Sequence, residues 1–173
     1  MGDDGGANDV AEIIRDLAQR VRYLEDRQAI VDLMTSYGPA IDAGDADAVI
    51  RVWTSDGVYD VDTGVMHGHG EIIDMVRGEM HQGFVRAGCA HILEPGSVVV
   101  DGDSAVATAK SLLVVKEEHG SGFTVLRATA NRWEMVKTGG RWKCRRRIGR
   151  LLDGRAAARR LLAGELEGLD DAR

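Results

Sequence analysis

The first half of the chain carries apolar residues at helical spacing. Val10, Ile14, Leu17, Val21 and Leu24 recur at alternating four- and three-residue steps, a heptad-like stripe. The stripe is too short for a free-standing coiled coil and suits a helix lying over another surface, such as a second subunit. A second series, Ile30, Met34, Tyr37 and Ile41, continues as an apolar helix face. Pro39 lacks the N–H that would bond the Thr35 carbonyl, and Gly38 precedes it. The pair predicts a kink or loosened turn at 36–40. Without that distortion Tyr37 and Asp42 would point about 140° apart. The run Asp42 to Asp45 reads as a helix end, with Gly44 past it and Asp45 capping a short helix at 46–54. Ser55-Asp56-Gly57 then turns the chain into a strand at 58–61, and a short strand or loop follows at 65–67. Ile72, Ile73, Met75, Val76 and Met80 predict a third helix over 70–81.

The second half changes period. Strand-like runs at 87–100, 103–116, 123–137 and 141–150 are separated by turn signals at 101–103, 117–122 and 138–140. The Asp-Gly and Gly-Gly steps suit tight antiparallel hairpins. Residues 154–167 return to helical composition before an acidic end. Helices followed by a strand meander predict an α+β fold, a curved sheet with helices across its open side and a pocket between them. Asn8 or Asp9 can cap the first helix. Residues 1–8 are therefore expected as a disordered tail, 9–152 as the domain, and 153–173 as a C-terminal helix with an acidic tail.

Composition narrows the function classes. A chain of 173 residues with 44% hydrophobic content has the size and apolar material of one cored domain. Its net charge of −6 disfavours nucleic-acid and anionic-membrane binding. No apolar run reaches the length of a membrane span. The acidic, Gly-rich start is neither a secretory signal nor an Arg-rich transit peptide, so a cytoplasmic location is expected. Cys89 and Cys144 are then expected as reduced, packed thiols.

Candidate chemistry centres on an acid and a histidine. Asp42 sits where a helix dipole opposes a carboxylate, so it needs a compensating partner or serves as a loop hydrogen-bonding group. His91 shares a strand face with Cys89 and Leu93, which points it inward. A neutral histidine is a good base near neutral pH. Tyr37 serves either core packing or phenolic donation. Asp60 reads first as a structural acid, and Tyr59 and Trp53 as wall or core. Arg127, Asn131 and Trp133 share a face that lines the pocket or meets another subunit. His67 and His69, with His81 nearby, have the look of metal ligands. The flanking glycines and the lack of a Cys or carboxylate cluster argue against a metal.

Three stretches carry a family resemblance. LEDRQAIVDLMTSYGPAIDAGDADAVIRVWTSDGVYD (24–60) resembles the opening of SnoaL-like proteins in the nuclear-transport-factor-2-like (NTF2-like) superfamily. CAHILEPGSVVVDGDSAVATA (89–109) and GGRWKCRRR (139–147) resemble its later strand pair and its closing hairpin. The resemblance spans about residues 20–152 and implies a cone of curved mixed sheet wrapped by about three helices, here with an extra N-terminal helix. Members include scytalone dehydratase, bile-acid 7α-dehydratase, hexachlorocyclohexane dehydrochlorinase, polyketide cyclases and steroid isomerases, beside non-enzymatic binding or assembly domains.

The resemblance implies that Asp42 and His91 form a dyad in which the acid orients a histidine that abstracts a proton. It implies that Tyr37 matches a tyrosine of the bile-acid dehydratase pattern, and that Arg150, or else Arg147 or Arg146, matches its late-strand arginine. The chain departs from the dehydratases at 111–116, where no further polar group follows inside the apolar run. The expected activity is a cofactor-independent lyase, isomerase or cyclase acting on a small apolar ring molecule. Asp42, His91 and Tyr37 are its candidate catalytic residues, and Asn131, Arg150, Tyr59, Trp53 and Asp60 its candidate substrate contacts. A catalytically silent ligand-binding or assembly domain is the alternative. Homo-oligomerisation, as a dimer or trimer, is expected in both cases.

Overall fold

A single helix, α1 (Asp4–Asp42), carries both apolar series of the first half. In the computed structural model, which describes residues 4–94 and 96–164, only the second series is covered. Ile30, Met34, Tyr37 and Ile41 are buried, whereas Val10, Ile14, Leu17, Val21 and Leu24 are exposed. At 1.5 Å per residue α1 is about 60 Å long, so its first half extends well beyond the core. The helix begins at Asp4, inside the stretch expected as a tail. Residues 1–3 of that stretch, and the acidic end beyond 164, lie outside the described residues.

The loosened turn expected at 36–40 does not form. The backbone stays helical through Pro39 to Asp42. Tyr37 and Ile41, buried on either side of the proline, hold that turn against the core. The Pro39 carbonyl accepts from the Ala43 N–H at 3.0 Å, and Gly44 closes the helix with a positive φ of 65°. The Asp45 side chain then accepts from the Ala48 N–H and caps α2 (Ala46–Ile50) as expected. This helix stops short of 54, because Trp53 is drawn into a strand.

The strands are β1 (Trp53–Val61), β2 (Gly64–His67), β3 (Cys89–Leu93), β4 (Ser97–Asp101), β5 (Ser104–Lys116), β6 (Phe123–Thr138) and β7 (Arg141–Leu151). Among the described residues they form one sheet ordered β2-β1-β7-β6-β5-β3, with β4 also paired to β5. The β1–β7 pair is parallel and the others are antiparallel, so the sheet is mixed. The run expected as one strand at 87–100 is two. Gly96 lies in the interruption, where a Cβ would stand 2.3 Å from the Thr108 carbonyl oxygen. Register shifts between Leu113 and Val114 and between Glu134 and Met135 bend the long strands.

The third helix also divides. α3 (Gly68–Arg77) and α4 (Glu79–Ala87) meet at Gly78, whose extended backbone breaks the helical path. The main core lies between α1, α2, α3 and the inner sheet face, around Trp53, Trp133, Met135 and Ile72. α5 (Ala156–Ala163) covers the outer face, with Ala158 and Leu161 packed on Ala130 and Ile148. Asp26 ties α1 to the β6–β7 hairpin, accepting from Trp142 Nε1 at 2.9 Å and Lys137 Nζ at 2.6 Å. No helix among the described residues is long and apolar enough to cross a membrane.

α1 approaches β3 at a glycine. A Cβ on Gly38 would stand 2.5 Å from the His91 carbonyl oxygen, which is backbone and has no freedom to swing away. Gly38→Ala should therefore destabilise the fold by about 1–3 kcal/mol by overpacking. Gly83→Ala, in the open on α4, should be neutral or stabilise by about 0.5–1 kcal/mol through helix propensity. Thermal unfolding of the two variants measures the contrast.

Candidate active site

The last residue of α1 and the middle of β3 meet across the close approach at Gly38. The Asp42 carboxylate accepts from His91 Nδ1 at 2.6 Å and from the His91 backbone N–H at 2.8 and 3.0 Å. Cys89, two residues earlier on the same strand face, adds a weaker contact from Sγ at 3.7 Å. Three donors from one strand thus offset the helix dipole that opposes an acid at this helix end. Both side chains of the pair are 24% exposed.

Burial dominates the charge state of His91. Desolvation lowers its pKa below 6.5, the neighbouring Asp42 raises it in part, and His81 and Arg147 lower it further. The ring is neutral at neutral pH. Its Nδ1–H donates to Asp42, which leaves Nε2 as the unprotonated nitrogen. His81 lies with its ring 5.9 Å from His91 and bonds the Ile41 carbonyl through Nε2 at 2.8 Å.

His91 lines a cavity of about 100 Å³. Tyr37, Tyr59, His81, Ser111, Thr129, Arg147 and Arg127, the last paired with Asp62, share its wall with apolar Ile41, Val61, Met75, Leu93, Leu112 and Leu113. Tyr37 packs edge-on to Trp133, with centroids 5.8 Å apart. Burial pushes the Tyr37 phenol well above its ordinary value, so it stays protonated and can donate. Arg147 is buried and lies over the rings of Trp133, Tyr59 and Tyr37 at 4.4, 5.0 and 4.9 Å. Its Nε and Nη2 both donate to Asn131 Oδ1, at 3.0 and 2.8 Å. Asn131 Nδ2 in turn donates to the Ser111 hydroxyl at 2.9 Å and the Thr129 carbonyl at 3.1 Å.

The structure thus brings His91, Tyr37 and Tyr59 to one cavity, with Asp42 held behind His91 and Asn131 behind Arg147. Three expected contacts stand elsewhere. Trp53 packs between Tyr59 and Trp133 and borders a separate open groove beside Asp26 and Lys137. Asp60 and Arg150 lie on the opposite sheet face, level with Ile148 under α5. There Arg150 Nη1 and Nη2 donate to Asp60 at 2.9 and 3.2 Å, and Arg146 also approaches that carboxylate. Strand alternation gives the reason: Arg147 and Gly149 face inward, so Arg146, Ile148 and Arg150 face outward. Arg147 was expected only as an alternative to Arg150 for the late-strand arginine, and His81 and Ser111 were not among the expected substrate contacts.

Among the described residues, His67, His69 and His81 do not gather into one group. His67 precedes α3, His69 Nε2 reaches the Trp53 carbonyl at 3.4 Å, and His81 turns to Ile41. Among the described residues, Asp42, Cys89 and His91 alone gather three ligand atoms closely enough for an ion. Their chemistry fits one poorly. Nδ1 is committed to Asp42, and burial raises the Cys89 thiol to about 11, away from the thiolate that binds metals.

The chain belongs to the SnoaL-like domain family, which matches residues 22–148. An NTF2-like protein with a cystatin-like fold from Novosphingobium aromaticivorans is 40% identical. The match covers 86% of this chain and 96% of that one, with a TM-score of 0.82. A candidate aromatic ring hydroxylase from the same organism is 30% identical over 75% of this chain and 90% of its own, with a TM-score of 0.58. A ketosteroid isomerase-like protein from Erwinia carotovora atroseptica shares the fold at 19% identity, covering 75% of this chain and 98% of its own, with a TM-score of 0.56. No curated protein matches the chain.

The depressed pKa of His91 has a defined sign. Folding holds the ring neutral, so protons bind the unfolded chain first as pH falls through about 6.5. The stability of the wild type should therefore decline from pH 6.5 toward the folded pKa, and His91→Gln should lack that component. Chemical denaturation of both proteins between pH 7.5 and 4.5, with an NMR titration of the His91 ring, tests this. A folded midpoint at or above 6.5 rejects it.

Proposed function

We propose that this chain is a cofactor-independent enzyme that moves a proton on a small apolar ring compound, with Asp42 and His91 as its acid–base pair. The carrying observation is the 2.6 Å bond between Asp42 and His91 Nδ1, which frees Nε2 beside a cavity with largely apolar walls. A neutral base with a fixed tautomer is what removal of a proton from carbon requires. In the lyase form of the reaction the C–H bond breaks toward Nε2, its electron pair forms the new C=C bond, and the C–O bond breaks. The departing oxygen takes up a proton and leaves as water. In the isomerase form the C–H pair forms a C=C bond, the carbonyl π pair moves onto its oxygen, and the proton returns at another carbon as the carbonyl re-forms. In the cyclase form the enolate carbon instead bonds a second carbonyl carbon, whose π pair moves onto its oxygen and takes the proton. A shuttle of this kind needs no cofactor. Tyr37, protonated and in the cavity wall, is the donor to the substrate oxygen.

Two relatives support the substrate class. One is described as a candidate aromatic ring hydroxylase and another as ketosteroid isomerase-like, names that both concern ring compounds. The exposed apolar stripe of α1 supports self-association of the chain. A monomer in sedimentation velocity at the highest soluble concentration would reject that part.

The acid–base pair is tested by incubating the protein in D₂O with a panel of cyclic ketones and hydroxylated ring compounds. Mass spectrometry then follows deuterium uptake and water loss. Turnover should fall by about 10²- to 10⁴-fold in His91→Ala and in Asp42→Asn, with unchanged circular dichroism. Full activity in either variant sinks the pair. Tight ring binding without exchange or product across the panel would favour a silent binding domain.

A further inference from the structure

Arg147 differs from most of the arginines on the two long strands. Arg127, Arg132, Arg145, Arg146 and Arg150 each stand near a carboxylate. Arg147 is only 4% exposed, yet no carboxylate among the described residues lies within ion-pair distance of it. Its hydrogen-bond partner is Asn131, a neutral amide whose orientation is fixed by Ser111 and Thr129. Nη1 has no hydrogen-bond partner. A guanidinium cannot shed its proton to escape burial, so this side chain is a permanent cation held dry without a counter-ion. The three aromatic faces around it recover part of that cost. They supply no anion.

The same arginine lines the cavity that His91 lines. We propose that Arg147 makes this cavity a site for an anionic oxygen, so that its ligand is a planar apolar ring bearing a carboxylate or phenolate. The ligand oxygen bonds Nη1 and completes the ion pair, while the ring lies against Tyr37, Tyr59 and Leu93. Asn131 is the positioning residue: it holds the guanidinium by two N–H groups and leaves Nη1 for the ligand. The inference rests on reading the cavity as the ligand site, and it names the chemistry of what enters.

Benzoate is a suitable probe, with benzamide as its neutral counterpart of the same shape. Calorimetric titration in a low-chloride buffer should give benzoate at least about tenfold tighter binding than benzamide. Arg147→Met should remove that preference, weakening benzoate by at least about tenfold more than benzamide. If that variant does not fold, Asn131→Asp provides the second arm. It leaves the guanidinium in place and gives it an internal counter-ion, so the benzoate preference should again be lost. His91→Ala should lose turnover but keep the preference, which separates this inference from the acid–base pair. Equal affinity for the two probes, no measurable benzoate binding, or a preference that survives in the Arg147 or Asn131 variant overturns the proposal.

Discussion

The contact between Asp42 and His91 constrains much of what surrounds it. A carboxylate at the C-terminal end of a helix is opposed by the dipole and by the helix's own free carbonyls. Here both difficulties are met locally. The Pro39, Ala40 and Ile41 carbonyls accept from Ala43, Asp45 and Gly44, and His81 adds a second donor to Ile41. The carboxylate receives the His91 N–H and imidazole from β3. None of this forms unless the helix axis comes close to the strand. That approach is allowed by the missing side chain at Gly38, one turn before the acid. The dyad is therefore a consequence of helix–sheet packing as much as of its two side chains.

Much of this was legible in the sequence, and the exceptions have physical causes. The 3.6-residue series at Ile30–Ile41, the turn residues between strands and the capping Asp45 each specify their structure locally. The family resemblance supplied the Asp42–His91 pairing across 49 residues. Other features depend on partners that a local pattern does not contain. Trp53 leaves the helical series because β7 offers it a strand position beside Cys144. Pro39 stays in its helix because the residues beside it are buried. Arg147 was obscured by one extra residue. From the tight hairpin at Thr138 and Arg141, an unbroken ladder would turn Cys144, Arg146, Ile148 and Arg150 inward. The register shift between Glu134 and Met135 skips Arg145 and exchanges the two faces beyond it. A slip of one residue in a strand inverts every side chain that follows. The arginine expected at the site is therefore on an ion pair outside, and its neighbour three residues earlier is inside.

That inversion fixes the order of charges in the cavity. Asp42 raises the proton affinity of His91, while desolvation, His81 and Arg147 lower it. With Arg147 uncompensated, the balance leaves His91 a neutral but weak base. An anionic oxygen bonded to Arg147 cancels one of the opposing contributions, so occupancy by such a ligand strengthens the base at the moment it is needed. A neutral ring would fill the same volume without that effect. On the proposed reading, the cavity couples recognition to reactivity through the buried Arg147, the smallest of the causes that lower the pKa of His91. The coupling needs no movement of the backbone, only a charge brought in by the ligand to a position that the fold has left unpaired.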